Sequence, residues 1–323
     1  VFLRFPKTAK SKCTFLHNLF NIFRINEGIK LLTQNQIGVL YMVGSVICFS
    51  IMDICVKWLD SYPVGQVLFL RFFIGFIPIF FIIPKDKLFS FYKTSRPGLH
   101  AFRAITGALA IIALFYGLRE LPLADVVSLT FGGPIFVTVA SIFFLSEKVG
   151  IKRWFAVFLG FIGMLLIVQP AFIDLNYYYI SPIIFCIFFA CVAISVRSLS
   201  KTEANYTIAF YFTLLCTIIG LGSIFFVDWI MPTKIDFFIF VVMALCGSIA
   251  NLLLTQSYRL AEASLVTPIK YLSLVFAIVF GFFIWSEIPK VLTLIGAILV
   301  ILSSLIIFIR EAQLKKQIIA PRS

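Results

Sequence analysis

Apolar residues gather into ten long runs, at 37–59, 64–84, 99–119, 122–145, 151–169, 179–197, 206–227, 236–257, 263–285 and 290–309. Polar and charged residues collect between them. A helix needs roughly 20 consecutive apolar residues to cross the ~30 Å hydrocarbon core of a bilayer. Each run is close to that length, so the pattern predicts an all-α membrane protein with ten transmembrane helices. Most gaps are only a few residues long, which makes consecutive helices antiparallel neighbours. Ahead of the first run, Phe15, Leu16, Leu19, Phe20 and Phe23 recur at helical spacing among basic residues. That segment fits an amphipathic helix lying on the membrane surface and equally an extension without fixed structure.

Composition agrees with the pattern. Of 323 residues, 61% are hydrophobic and 13% charged, about half the charged share of soluble domains. Mean hydropathy is +1.07. Disordered, collagen-like and disulfide-scaffold classes are excluded. The formal charge of +13 would suggest nucleic acid in a soluble chain. Here basic loops orient the helices instead. Twenty Lys and Arg fall in the N-terminal segment, alternate loops and C-terminal tail, against three in the intervening loops. Both termini should therefore face the cytoplasm. Of the seven cysteines, Cys48, Cys55, Cys186, Cys191, Cys216 and Cys246 lie inside apolar runs without CxxC spacing, the pattern of buried small residues. Residues 1–36 lack the unbroken apolar stretch and small-residue cleavage site of a signal peptide.

A shift of 140 residues lays the first half of the chain on the second without a gap over four runs. Phe49, Val56 and Leu59 meet Phe189, Val196 and Leu199; Lys57 meets Arg197; Phe72 meets Phe212; Gly107 meets Gly247; Arg119 meets Arg259. Val126, Phe136, Val139 and Phe143 meet Val266, Phe276, Val279 and Phe283, and Ser146-Glu147 meets Ser286-Glu287. The fifth runs need a four-residue adjustment, pairing Gly160 with Gly296. Phe and Val match easily in such a chain, but Gly, Arg and Ser-Glu are scarce and share one register. The expected units are a basic extension (1–36), two five-helix repeats (37–169 and 179–309) and a basic tail (310–323). Five is odd, so the second copy enters from the opposite face. Inverted repeats of this kind build many secondary transporters, with the substrate site between the halves near the midplane.

On these features the sequence resembles the EamA-type members of the drug/metabolite transporter superfamily over about residues 37–309. The carrying residues are Gly107, Tyr116, Pro134 and Leu145-Ser146-Glu147 in the first copy, and Tyr271-Leu272 and Ser286-Glu287 in the second. The stretch from Ser95-Arg96-Pro97 through Gln169-Pro170 is the most family-like. The second copy departs with Leu274 opposite Pro134 and Trp285 opposite Leu145. The resemblance implies the fold and membrane transport, with substrates ranging over amino acids, sugars, nucleotide-sugars, S-adenosylmethionine and riboflavin. Lys57, Arg71, Ser95-Arg96-Pro97 and the stretch from Ala263-Ser264 to Lys270-Tyr271-Leu272 bring it nearest to bacterial uptake members of the riboflavin and S-adenosylmethionine kind.

A charge at a helix centre costs about 2.5–3.5 kcal/mol on insertion scales, so charges within the runs are candidates for function. Asp53 is the deepest in the first run, and Lys57 follows four residues later on the same face. The two fit a coupling carboxylate with its counter-charge, or a structural pair with Lys57 reaching to the interface. Arg71 lies about 10 Å into the second run at 1.5 Å per residue, free to pair with Asp53 or Asp125 or to hold an anion. Lys270, beside Pro268, Tyr271 and Ser273, fits a broken, cavity-lining helix. Gly132-Gly133-Pro134 interrupts the fourth run, for a gate or for close packing. Tyr116, Phe131, Tyr258, Tyr271 and Trp285 could stack on a planar ring. The expected substrate-binding set is Lys270, Tyr271, Arg71, Asp53, Tyr116 and Phe131. The coupling or gating set is Asp53, Lys57, Gly132, Gly133 and Pro134. His100 and Arg103 read as interface anchors, Asp125 as a cap or interfacial residue, and Glu147 and Glu287 as carboxylates closing helix junctions.

No GxxxxGK[ST], HExxH or GxSxG motif is present, and the two histidines, His17 and His100, form no cluster. An ATP-driven step, an enzyme activity, a cofactor and a metal are therefore not expected. The expected function is secondary transport of a small planar or charged metabolite across a bacterial inner membrane, riboflavin uptake first. S-adenosylmethionine or amino-acid transport, in either direction, is the alternative, and a channel or structural membrane protein the reading of another class. The partners expected are the substrate and the bilayer, without nucleic acid; monomer and homodimer both stay open.

Overall fold

The computed structural model describes residues 34–80, 83, 92–145, 151–174, 176–199, 202–260 and 267–319. Among these, eleven α-helices follow one another without a strand: α1 (Gln34–Trp58), α2 (Val64–Phe80), α3 (Pro97–Glu120), α4 (Leu123–Thr130), α5 (Gly133–Leu145), α6 (Ile151–Asp174), α7 (Ile180–Leu199), α8 (Asn205–Gly222), α9 (Lys234–Leu260), α10 (Leu272–Trp285) and α11 (Val291–Ile319). Short 3₁₀ turns at Tyr177–Tyr179 and Thr267–Tyr271 lead into α7 and α10. Six stretches are long and apolar enough to cross a membrane: Gln36–Trp58, Pro97–Glu120, Leu123–Ala140, Tyr177–Val196, Tyr206–Phe225 and Lys234–Ser257. Four apolar helices are shorter: Val64–Phe80, Trp154–Val168, Ile269–Trp285 and Val291–Ile306.

The ends follow ordinary helix chemistry. Pro97 opens α3, where its missing N–H costs nothing. The Thr233 hydroxyl accepts the Asp236 N–H at 3.2 Å and starts α9. Ser286 ends α10 with φ 55°, a left-handed conformation that costs a non-glycine residue on the order of 1 kcal/mol. The fold holds it there because the Glu287 N–H closes on the Gly281 carbonyl at 3.0 Å, the wrap-around cap of a helix end.

Two expectations change. The tail expected after 309 continues α11 to Ile319. The fourth run is two helices, parted at Phe131–Gly132. The amphipathic reading of residues 15–23 and the junction role of Glu147 lie outside the described residues.

The helices pack across the repeat. α1 lies on α9, α3 on α7, α2 on α8 and α6 on α11. Exchange each helix for its mate in the other half, and α1–α9 becomes α7–α3 while α2–α8 and α6–α11 map onto themselves. A two-fold relation between the halves requires that pattern. Residues that touch their own mates then lie on the axis. Phe72 meets Phe212 edge to face at 5.2 Å, and Phe131 meets Tyr271 edge to face at 5.0 Å. Small and hydroxyl residues let the helices close. Ser45 donates to the Ala250 carbonyl at 2.8 Å and Ser257 to that of Gly38 at 2.7 Å, zipping α1 to α9. On α6–α11, Ser303 donates to the Ala156 carbonyl at 2.6 Å. A Cβ on Gly163 would stand 2.7 Å from the Gly296 carbonyl oxygen.

Candidate functional site

The site begins where helices break. Gly132 and Gly133 both keep negative φ, so they serve packing, not a left-handed turn: a Cβ on either would press on Met164 or Phe189. Pro134 follows in the first turn of α5, where proline is tolerated. The break strips carbonyls of their helical partners, and in a membrane these need replacements. The other half supplies them. The Ser304 hydroxyl of α11 donates to the Phe131 carbonyl at 2.8 Å, and the Cys186 thiol of α7 adds a second donor at 3.3 Å to the Leu129 carbonyl, which also accepts the Gly132 N–H at 2.9 Å. In the second copy the 3₁₀ turn ends at Tyr271, the mate of Phe131. The two irregular segments thus meet on the axis through that ring pair. Lys270 is half-buried in the same turn, and its carbonyl accepts from the Ser273 hydroxyl at 2.8 Å.

Beside this lies the buried charge. Arg71 is 4% exposed. Its guanidinium stacks 5.1 Å from the Phe72 ring centre and donates to Ser248 at a long 3.4 Å. The bare face of Gly247 makes room for it on α9, since any Cβ there would collide with the guanidinium. Asp53 of α1 attracts Arg71 electrostatically without closing to an ion pair. The Asp53 side chain opens on a narrow cleft walled by Ser50 of α1, Leu123 and Val127 of α4, and Ser273, Phe276 and Phe280 of the α10 region. The cleft is too tight for a water molecule. It joins the two halves and is closed in this conformation.

Lys57 is a correction. Its ammonium does not pair with Asp53, although the two share a helix face. It meets the Glu287 carboxylate at 2.6 Å and donates to the Leu121 carbonyl. The other Glu287 oxygen accepts the Leu123 N–H at 2.9 Å. Glu287 does close a junction, but the α3–α4 junction of the opposite half. The left-handed Ser286 turns it there. This pair, with Trp285 5.4 Å from the Lys57 ammonium, ties the two halves at the end of the bundle where α1 stops.

Three more placements differ from expectation. Tyr116 is 46% exposed and shares an outward stripe of α3 with Phe102, Ile105 and Leu109, so it stands apart from the other candidates. Arg103 is no interface anchor: its guanidinium lies 4.0 Å from the Phe212 ring centre, with Nε and one terminal nitrogen unbonded. Asp125 does not cap its helix; it is 3% exposed and accepts the Tyr179 hydroxyl. The Arg71–Phe72–Phe212–Arg103 array was readable in part, because Phe72 and Phe212 are repeat mates. Nothing in the spacing pointed to Arg103 or Asp125.

A tandem pair of helical units, with broken helices and buried charge where they meet, defines a membrane carrier. The EamA-like transporter family model matches residues 36–169 and again 176–309. The chain belongs to that family and is a multi-pass membrane transporter, not an enzyme. Over 271 residues it is 26% identical to the pseudopaline exporter of Pseudomonas aeruginosa strain UCBPP-PA14, covering 82% of this chain and 94% of that protein. It is 27% identical over 278 residues to the S-adenosylmethionine uptake transporter of Rickettsia felis, covering 85% and 93%. With the riboflavin transporter of Rhizobium johnstonii it shares 26% over 286 residues, covering 87% and 94%. A solved structure titled "Crystal structure of protein" superposes with a TM-score of 0.60 at 14% identity, over 86% of this chain and 98% of that one, and shares the fold.

Proposed function

We propose that the chain crosses a bacterial inner membrane ten times as two inverted five-helix repeats with both termini in the cytoplasm, and imports a small metabolite by alternating access. The observation that carries this reading is the closed cleft between the halves, with Asp53 on its wall, Arg71 beside it, and the Phe131–Tyr271 pair on the axis. A charge pair held apart inside a membrane has no use in a purely structural bundle, where apolar packing would be as stable. Between two rocking halves it has one: a substrate or proton that binds Asp53 frees or engages Arg71. Lys57–Glu287 is then the latch on the outer face, and opening outward breaks it. Phe131, Tyr271 and Lys270 join the substrate site as the halves part, and the Gly132-Gly133-Pro134 break lets α4 and α5 tilt separately.

The substrate is best read as a planar metabolite without net positive charge, riboflavin first. Two guanidinium groups, Arg71 beside Asp53 and Arg103 over the Phe212 ring, outnumber the one carboxylate of the cleft and disfavour a cation. Relatives named for riboflavin transport support the choice. The second reading is S-adenosylmethionine, favoured by the Asp53 carboxylate in the cleft and by the Rickettsia relatives. Expression in a riboflavin auxotroph tests the first: growth at low external riboflavin is expected, and no rescue, with the protein present in the membrane, rejects it. A competition uptake screen with S-adenosylmethionine and amino acids decides among the rest.

A further inference from the structure

A second cavity, sharing no lining residue with the Asp53 cleft although both touch the start of α4, lies at the end of the bundle where α1 stops. It holds about 220 Å³ and is lined by Pro122 and Asp125 of the first half and by Asn176, Tyr179 and Lys290 of the second. That is room for several waters, or for a compact organic headgroup. Asp125 forms its inner wall and is 3% exposed. The Tyr179 hydroxyl donates to Oδ2, and the Thr293 hydroxyl is within reach of the carboxylate but does not close to hydrogen-bond geometry. Yet Oδ1 accepts no hydrogen bond. A buried carboxylate oxygen without a donor is expensive, and this one lines a cavity. The nearest basic residue on the lining, Lys290, is exposed at the rim and makes no ion pair with it. Lys57, on the last turn of α1, is already held by Glu287.

One wall therefore offers a vacant acceptor for N–H donors, and the rim a vacant ammonium. The first turn of α11, beginning at Val291, adds backbone N–H groups that favour a negative charge beside Lys290. Opposite charges a few ångströms apart on one small molecule satisfy both.

We propose that this cavity binds the zwitterionic headgroup of an α-amino acid, its ammonium on Asp125 and its carboxylate on Lys290. The site shares no lining residue with the central cleft and does not depend on the substrate assigned there. The test is scintillation-proximity binding of tritiated L-alanine to the purified full chain in detergent micelles. Saturable binding is expected. Unlabelled L-alanine should displace the label at least tenfold more effectively than ethylamine or propionate, which each carry only one of the charges. Asp125→Asn should weaken binding at least tenfold. Lys290→Gln, at an exposed position that leaves the packing intact, should erase the advantage of L-alanine over ethylamine. If Asp125→Asn fails to fold, the Lys290→Gln result decides. Asp53→Asn, which strikes the central cleft, should leave alanine binding in place. Absence of saturable binding to the wild type, unchanged binding in folded Asp125→Asn, an undiminished preference in Lys290→Gln, or loss of binding in Asp53→Asn would each overturn the proposal.

Discussion

A carboxylate inside a membrane must be neutralised or find a counter-charge. Asp53 has Arg71 within electrostatic reach but not in contact, an arrangement suited to exchanging partners. Asp53→Asn should therefore flatten the pH dependence of uptake while membrane abundance holds; an unaltered pH profile removes the proton role. Lys57 and Glu287 behave differently, because their pair is made, with Lys57 buried and Glu287 half-buried. Removing one partner of such a pair costs about 3–5 kcal/mol, whereas replacing both with apolar residues is often neutral. Lys57→Met or Glu287→Gln alone should lower the thermal midpoint in micelles, and Lys57→Met with Glu287→Met should restore most of it. Additive losses would show that the two side chains act independently. The partner of Lys57 was hidden in the sequence, since the i, i+4 rule sees only one helix and Glu287 lies 230 residues away.

Helix packing carries its own consequences. α6 and α11 approach so closely at Gly163 and Gly296 that a Cβ on Gly296 would stand 2.6 Å from the Gly163 carbonyl oxygen. Gly296→Val should force the helices apart at a cost of about 1–3 kcal/mol, read as a lower midpoint; an unchanged midpoint would mean that the close approach does not exist. At the opposite end of the bundle from Glu287, Glu203 accepts the Thr94 hydroxyl at 2.8 Å and the Ser95 N–H at 3.1 Å, tying the segment before α3 to the α7–α8 connection. Burial pushes the Glu203 carboxyl up, but the Thr94 and Ser95 hydrogen bonds outweigh it and hold the group below its ordinary value of 4.5. A depressed folded pKa means that this tie stabilises fully above pH 4.5 and is lost as pH falls through the folded value. Wild type should lose more of its thermal midpoint on acidification than Glu203→Gln; parallel curves would remove the tie from the account. Ser95-Arg96-Pro97 was legible as a motif, with Pro97 starting a helix, but its tie to Glu203 was not, because loop partners carry no periodicity. The break after Thr130 was legible from Gly132-Gly133-Pro134. Its satisfaction by Cys186 and Ser304 was not, because those residues sit in the other half.

At the scale of the molecule, the shift of 140 residues was the strongest signal in the chain, carried by Gly, Arg and Ser-Glu where Phe and Val could match by chance. It anticipated that mates such as Phe72 and Phe212 occupy equivalent places, and they meet. Apolar length alone was a weaker guide: six stretches clear the length of a crossing and four fall short. What no repeat reveals is which side chains leave the symmetry. Arg71 aligns with Tyr211 and Arg103 with Met243, so the buried charge is asymmetric although the scaffold is not. A symmetric frame with an asymmetric polar centre can be a carrier only if one bound solute must leave before the next returns. Counterflow tests this directly. Proteoliposomes loaded with unlabelled riboflavin and diluted into trace labelled riboflavin should take up label transiently above equilibrium, then release it, and Asp53→Asn vesicles should not. Label that merely rises to equilibrium without an overshoot, at a rate indifferent to the internal solute, would contradict the carrier account.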